Sequence, residues 1–417
     1  MSFTETVQRK AKTARRVLSE RGLRGIAETT MEKVRPPQPT PRQQIQMLVR
    51  PEDAARVDWA TPHPAVVDPL TVSGRPLRTA WIMSPPGRGS GGHQNLFRFI
   101  SYLESAGHSA SIHLYSAGGV AGLDDLRRMV AETSSYADVR APIWPYDPNQ
   151  GVGEGVDAIF ATGWETAYPS YLDSSTARRF YFVQDYEPSF YAISSESVLA
   201  ESTYRFGFHG ITAGNWLASK LSNDYEMECD AFEFASDSRH YSVVNSGRRP
   251  EIFFYARPVT PRRAFELGIL ALQQVNKLRP DIKINLAGWD VSHYDLPFEC
   301  VNHGELEISK LNAIYNRCSA ALVLSLTNMS LLPLELLSAG VVPVVNEGPN
   351  NSMVTDNPFI RYVSTSPAAI ARSIIDVIEA NSSGVLNPAE VSASVTTTSW
   401  DESGRQFVSA FERSMHG

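Results

Sequence analysis

A chain of 417 residues, 42% hydrophobic and 20% charged, has globular composition and is too long for one ordinary core, so two domains with extensions are expected. A net charge of -7 argues against a general nucleic-acid binder, which would be basic. Cys229, Cys300 and Cys318 have neither metal-ligand nor redox spacing and read as reduced thiols of a cytosolic protein, and the sequence shows neither a signal-peptide core nor an apolar run long enough to span a bilayer.

In chain order, residues 1–76 read as a basic helical and proline-rich arm. The first 35 hold nine Lys or Arg against four Glu, with Val7, Ala11, Ala14 and Leu18 on one helical face. This reads as a solvated helix packed on the body, and the alternative is peripheral attraction to anionic lipid. Residues 36–76 are proline-rich and aperiodic, and read as extended chain.

A first domain is expected over 77–247. Strands are predicted at 79–84, 109–116, 157–161, 180–184 and 210–213, with helical patterns between them. Alternating strands and helices predict a doubly wound parallel sheet with ligands at the strands' carboxyl ends. After the first strand, Gly87, Gly89 and Gly92 match G-x-G-x-x-G, but the second strand ends Leu114-Tyr115-Ser116 without the acid a ribose needs. NAD is therefore disfavoured, and what remains is a loop whose backbone can approach a ligand closely. Trp164 and Glu165, and Asp185 and Glu187, stand at two further strand ends. The acid-x-acid pair reads as a turn cap, a ligand contact or, less well for want of companions, a metal site.

A second domain is expected over 248–398, after the linker 245–250. Its predicted strands are 252–255, 282–286, 320–325 and 341–345, where Pro343 suggests an edge or irregular strand. Arg257 at the first strand's end, and Arg262 and Arg263 at the following helix's start, oppose the helix dipole, so a bound polyanion explains them better than local stability. Arg263 fits a solvated loop better than Arg257 does. Near 327–346 a loop leads into a short helix with Pro333 in its first turn and Gly340 at its end. The amides of Ser330, Leu331 and Leu332 are candidate phosphate donors. Glu335 either complements the dipole or accepts from a ligand hydroxyl. Residues 399–417 begin with a capping box and form a last helix.

Arg257 preceded by Ala256, Arg262 five positions on, and Glu335 before a helix, Gly and a Pro-Val strand resemble the signature of retaining GT-B glycosyltransferases of family 4. That family has Gly-Arg, a Lys at the Arg262 position, and a first glutamate where this chain has Thr327. Over roughly residues 80–350, SGGHQNLFRF, YFVQDYEPSFY, ESTYRFGFHGITAGNWL and YARPVTPRRAFELG are similar to bacterial rhamnosyltransferases that build polyrhamnose glycans. The resemblance implies a GT-B fold of two Rossmann-like α/β domains facing a cleft, the last helix crossing back onto the first. It implies a dTDP-β-L-rhamnose donor, a rhamnose-containing or lipid-linked glycan acceptor, and catalysis without a metal or other cofactor. The implied donor contacts are Arg257 and Arg262 with the amides of Ser330, Leu331 and Leu332 on the diphosphate, Glu335 on the pentose, Gly304 and Glu305 at the base, and Thr327 near the sugar. Gly91, Gly92, His93, Trp164, Asp185 and Glu187 would face the acceptor, Asp185 orienting its hydroxyl. The alternatives are a family 4 enzyme using another nucleotide sugar, and a non-catalytic GT-B protein that binds glycan or a partner enzyme.

Overall fold

The computed structural model describes residues 46–61, 74–88, 90–237, 239–329, 331–395 and 399–416. The basic helix expected within 1–35, Gly89 of the glycine loop and Ser330 lie outside the described residues. Residues 47–417 form one compact unit.

Two all-parallel sheets organise it. The first contains β1 (Arg78–Met83), β2 (Ser109–Leu114), β3 (Ile143–Pro145), β4 (Ala158–Ala161), β5 (Arg178–Val183), β6 (His209–Ala213) and β7 (Cys229–Phe232), in the order β3-β2-β1-β4-β5-β6-β7. β1, β4 and β5 are buried almost throughout, as strands covered on both faces must be, and this is why their sequences are apolar beyond the first one or two residues. The second contains β8 (Glu251–Tyr255), β9 (Lys283–Ala287), β10 (Val301–Asn302), β11 (Cys318–Val323), β12 (Val342–Asn346) and β13 (Arg361–Val363), in the order β10-β9-β8-β11-β12-β13. The strand order reverses between β1 and β4 in one sheet and between β8 and β11 in the other. Open α/β sheets form their ligand crevices at such switch points. Arg257 follows β8 and Thr327 follows β11, so the second crevice holds both.

Two expectations need correction. Residues 36–76 are not extended throughout: Pro51–Arg56 form a helix with Pro51 at its start and Glu52 and Asp53 in its first turn. Its anchor is Asp53, buried between the Arg50 guanidinium at 2.8 Å and the Tyr115 hydroxyl at 3.2 Å. Pro343 is not on an edge strand either. β12 pairs with β11 and β13, but pairing to β13 begins only at Val344, so on that flank Pro343 has no ladder to interrupt.

The linker is pinned by a fully buried arginine. Arg249 donates to the carbonyls of Asn245 and Ala339, each at 2.8 Å, and to the Asn316 side chain at 3.0 Å. The Ala339 carbonyl lies at the end of the Leu332–Ser338 helix, where a cation complements the dipole.

The last helix, Trp400–His416, is capped by Ser399, whose hydroxyl accepts from the Glu402 amide at 3.2 Å. It packs on the first sheet and on the Gly91–Ser105 helix. Phe407 is wholly buried, its ring 4.9 Å from that of Phe99 and 5.7 Å from that of Phe182. Gly404 is needed there because a Cβ would come within 2.6 Å of the Tyr102 ring. Phe407→Ala should therefore cost about 3–5 kcal/mol, read as a lower denaturant midpoint at unchanged slope. No helix among the described residues is long and apolar enough to cross a membrane.

Candidate functional site

The carboxyl ends of the two sheets meet at Asp185. Its Oδ1 accepts from the Asn328 amide at 2.8 Å and from the Tyr186 amide at 2.8 Å. Its Oδ2 accepts from Arg262 Nε at 3.2 Å and from the Thr327 hydroxyl at 3.1 Å. Asn328 adds a second bridge, donating from Nδ2 to the carbonyls of Gln184 at 3.1 Å and Ala213 at 2.9 Å. The loop 325–328 is itself fixed by asparagines. Asn346 accepts from the Ser325 amide at 2.8 Å and donates to its carbonyl at 2.9 Å, while Asn350 donates to the Thr327 carbonyl at 2.6 Å. A loop held by so many side-chain bonds is preorganised.

Three arginines converge here. Arg257 donates to the Gly288 carbonyl at 3.2 Å and lies 5.8 Å from the Trp289 ring centre. Arg262 is held by Asp185 and covers the Phe190 ring at 4.0 Å. Arg263, which the sequence suggests is solvated, instead donates to the Ser325 hydroxyl at 2.7 Å, and burial lowers its pKa, with Asp185 opposing that shift. The turn that aims Arg262 and Arg263 to different partners ends at Ala264, a non-glycine residue with φ of 47°. Such a conformation is costly and recurs at functional sites.

Glu335 stands in the first turn of the Leu332–Ser338 helix. Burial pushes its carboxyl up to about 7, while a hydrogen bond from Tyr241 and the charge of Arg98 pull it back and Asp237 adds to the rise. Arg98 comes from the first domain, its guanidinium carbon over the Trp400 ring, 3.7 Å from its centre. It also lines a cavity of about 300 Å³ together with Gln94, Tyr136, Asp237, Arg239 and Ile308.

The other expected residues divide into those near this centre and those turned elsewhere. Gly91 and Gly92 are exposed at the start of the Gly91–Ser105 helix, and Gln184 reaches the Gly92 carbonyl at 3.3 Å. His93 is tied down locally. Its Nε2 meets the Ser84 carbonyl at 3.0 Å, which can only accept, so Nε2 carries the proton and Nδ1 accepts from the Ser90 hydroxyl at 2.8 Å. Burial lowers its pKa and favours that neutral form. The Gly304 backbone is engaged inside its own loop, its amide with the Asn302 side chain at 3.0 Å and its carbonyl with the Gly288 amide at 2.9 Å, and Glu305 is exposed. Leu332 is buried at the start of its helix and Leu331 precedes it, half-buried.

Asp185 and Glu187 bond to different partners. Glu187 is buried in its own domain, accepting from the Trp164 amide and from the Tyr181 hydroxyl at 3.1 Å. Burial, with Glu165 adjacent, pushes its carboxyl up to about 8, and Glu165 is raised by burial as well. The folded protein therefore keeps a proton that the unfolded chain gives up above the ordinary carboxylate range. Stability from this pair should fall as pH rises toward about 8. Glu187→Gln should flatten that slope in melting temperature against pH.

Arg98, Tyr241, Arg263 and Asn328 complete the site without having been singled out as ligand residues by sequence. Only Arg263 carried a signal, as the second of two adjacent cations at a helix start.

Residues 250–375 match the family model described as "WsaF, C-terminal domain", and residues 152–215 match "WsaF, N-terminal domain". The O-antigen biosynthesis protein RfbC of Myxococcus xanthus is 29% identical over 347 residues, covering 81% of this chain and 27% of RfbC. The chain thus spans about a quarter of the length of that curated relative. Among solved structures, a mutant of S. aureus TarM in complex with fondaparinux, α-GlcNAc-glycerol and UDP aligns with a TM-score of 0.62 at 7% identity, covering 80% of this chain and 99% of that one. Anabaena HepE in complex with UDP-glucose aligns at 0.58 and 12% identity, covering 81% and 100%. Sucrose-phosphate synthase from Thermosynechococcus elongatus aligns at 0.58 and 11% identity, covering 81% and 98%. At such identities the likeness is one of architecture. The chain has the GT-B glycosyltransferase fold, two Rossmann-like α/β domains whose strand ends face one another.

Proposed function

We propose that the protein is a retaining glycosyltransferase that moves L-rhamnose from dTDP-β-L-rhamnose to a rhamnose-containing or lipid-linked glycan during cell-surface polysaccharide synthesis. The observation that carries the reaction class is the convergence of Arg257, Arg262 and Arg263 at the switch point of the second sheet, opposite the strand ends of the first. Guanidinium groups there suit a diphosphate, and cations aimed at a leaving diphosphate stabilise charge that grows only as the glycosidic bond breaks. The matches to the two WsaF domains and to an O-antigen biosynthesis protein support the polysaccharide context. The choice of rhamnose rests on the sequence segments around Asp185 and Arg257.

In this reading Glu335 holds the pentose, and the thymine lies toward the loop at Gly304 and Glu305. The acceptor enters along Gly91, Gly92 and Asp185, whereas Trp164, expected there, is buried in the first domain with its indole N–H on the Tyr191 hydroxyl at 2.9 Å. Its hydroxyl oxygen bonds to C1 of the sugar on the face the diphosphate leaves, and its proton passes to the departing phosphate oxygen. Retention then needs no protein nucleophile. Charge on the diphosphate is neutralised by arginines, so no resident metal or other cofactor is assigned. The basic segment 1–35 would let the protein meet anionic lipid at the inner membrane face, where a lipid-linked acceptor is held.

A uridine diphosphate sugar is the second reading, favoured by the nucleotides bound in TarM and HepE. A thermal-shift panel of deoxythymidine, uridine and guanosine diphosphates with NAD separates the two, because a ligand of the folded state alone raises the melting temperature. Selective stabilisation by the thymidine nucleotide supports the rhamnosyl reading. A selective uridine shift replaces the donor, and no shift with any of them favours a non-catalytic glycan- or partner-binding protein.

A further inference from the structure

We infer that the Asp185 carboxylate is a built-in stand-in for the donor's diphosphate, occupying the anion seat made by Arg262, the Thr327 hydroxyl and the Asn328 amide until the donor displaces it. The inference rests on the nucleotide-sugar reading for the identity of the displacing ligand, but the seat itself is defined by geometry.

Asp185 is the last residue one would expect to be satisfied by the opposite domain. It follows β5 of the first sheet, yet among the described residues three of the four hydrogen bonds to its carboxylate come from the second domain. Each oxygen takes two donors. Oδ2 receives a guanidinium N–H and a hydroxyl, and Oδ1 receives two backbone amides. A phosphate oxygen pair would ask for the same set of donors. Arg263 lies close enough for its charge to feel Asp185, so the seat is more cationic than its direct contacts show. A diphosphate brought to Arg257 and Arg262 would meet this carboxylate, and two anions cannot share one seat without a large repulsion.

Two features mark the contact as one made to be exchanged. Thr327 meets Asp185 through a neutral hydroxyl at 3.1 Å, which costs little to release, whereas a second cation there would lock the carboxylate in place. The clasp also buries Asn328 while leaving its Oδ1 without a hydrogen-bond partner among the described residues. Its Nδ2 is committed to two carbonyls, so a flip of the amide does not relieve this. An orphaned buried acceptor is an uncompensated cost that opening the clasp removes. The donor-free protein is thus held closed by its own anion. Only the fraction in which Asp185 has left the seat is competent to bind, which weakens the apparent affinity for a diphosphate.

The test is calorimetric titration of the full chain and of Asp185→Asn with inorganic pyrophosphate, deoxythymidine diphosphate and thymidine. Asparagine keeps the shape and one acceptor but removes the charge. The inference expects Asp185→Asn to bind pyrophosphate and deoxythymidine diphosphate at least about tenfold more tightly, with thymidine unchanged. Equal or weaker pyrophosphate binding by the folded variant overturns it. Tighter pyrophosphate binding with no nucleoside diphosphate bound by either protein keeps the seat and discards the nucleotide-sugar reading. Asp185→Ser, which removes the carboxylate without adding a donor amide, decides the matter with the same ligands if the asparagine variant does not fold.

Discussion

Arg257→Ala should lose about 100-fold or more in turnover while melting close to the wild type, because the charge it removes is aimed at the leaving diphosphate and carries little of the fold. Arg257 is half-buried at the end of β8, and among the described residues its side chain makes a single hydrogen bond, to the Gly288 carbonyl. Among the described residues no carboxylate pairs with it, whereas Arg262 is held by Asp185 and Arg263 by Ser325. Of the three cations it is therefore the one whose charge is least compensated in the donor-free protein. Losing a charge partner of the transition state lowers turnover more than it weakens donor binding. Arg257→Lys should recover only part of the loss, since an ammonium supplies charge without the planar fork. Steady-state transfer from labelled donor checks this, and near-normal turnover of the alanine variant would remove Arg257 from the diphosphate.

The parts of the fold legible in the sequence are those where burial leaves its own mark. β1, β4 and β5 are covered on both faces, and no polar residue interrupts them long enough to hide the strand. β3, β10 and β13 are two or three residues long and lie at or near the sheet edges, where half-exposed sequences such as Ile143-Trp144-Pro145 carry no periodicity to read. β7 escaped notice because Cys229-Asp230-Ala231-Phe232 reads as neither apolar run nor alternation. Pro343 is tolerated for a related reason: of its two readings the edge strand fails but the irregular one holds, because the ladder to β13 starts a residue later.

The site was legible by residue type but not by partner. Arg257, Arg262 and Glu335 stand out because cations around a helix start and an acid in the first turn of a glycine-ended helix are chemically conspicuous. That Asp185 reaches Thr327 and Asn328, more than 140 positions away, follows from how two sheets face one another, and no local pattern encodes it. Arg262 and Arg263 are adjacent in sequence, and only the left-handed turn at Ala264 decides which meets Asp185 and which meets Ser325. Arg98 reads as an ordinary cation on a helix until Trp400 is seen beneath it and Glu335 beside it.

That neighbourhood of Glu335 gives the second large effect, a nucleotide affinity that falls with acid. The carboxyl is held near 7 by burial, against the pull of Tyr241 and Arg98 and with Asp237 reinforcing the rise. The pentose reading requires a carboxylate to accept from a sugar hydroxyl, so below about 7 the site must first give up a proton. The dissociation constant for deoxythymidine diphosphate should then climb toward tenfold for each pH unit well below that point, a rise of about 50-fold between pH ~7 and pH ~5. The phosphates of the ligand titrate near the same range, so the Glu335→Gln variant measured in parallel supplies the correction. It should bind more weakly at pH ~8 and show only the ligand's own pH dependence. In the unliganded protein the same raised pKa acts with the opposite consequence. The folded state retains a proton that the unfolded chain loses, so this residue's contribution to stability falls as pH rises from the ordinary carboxylate range through about 7. Titrations from pH ~5 to ~8 that gave wild type and variant the same pH dependence would take Glu335 off the pentose and leave it the simpler task of complementing its helix dipole.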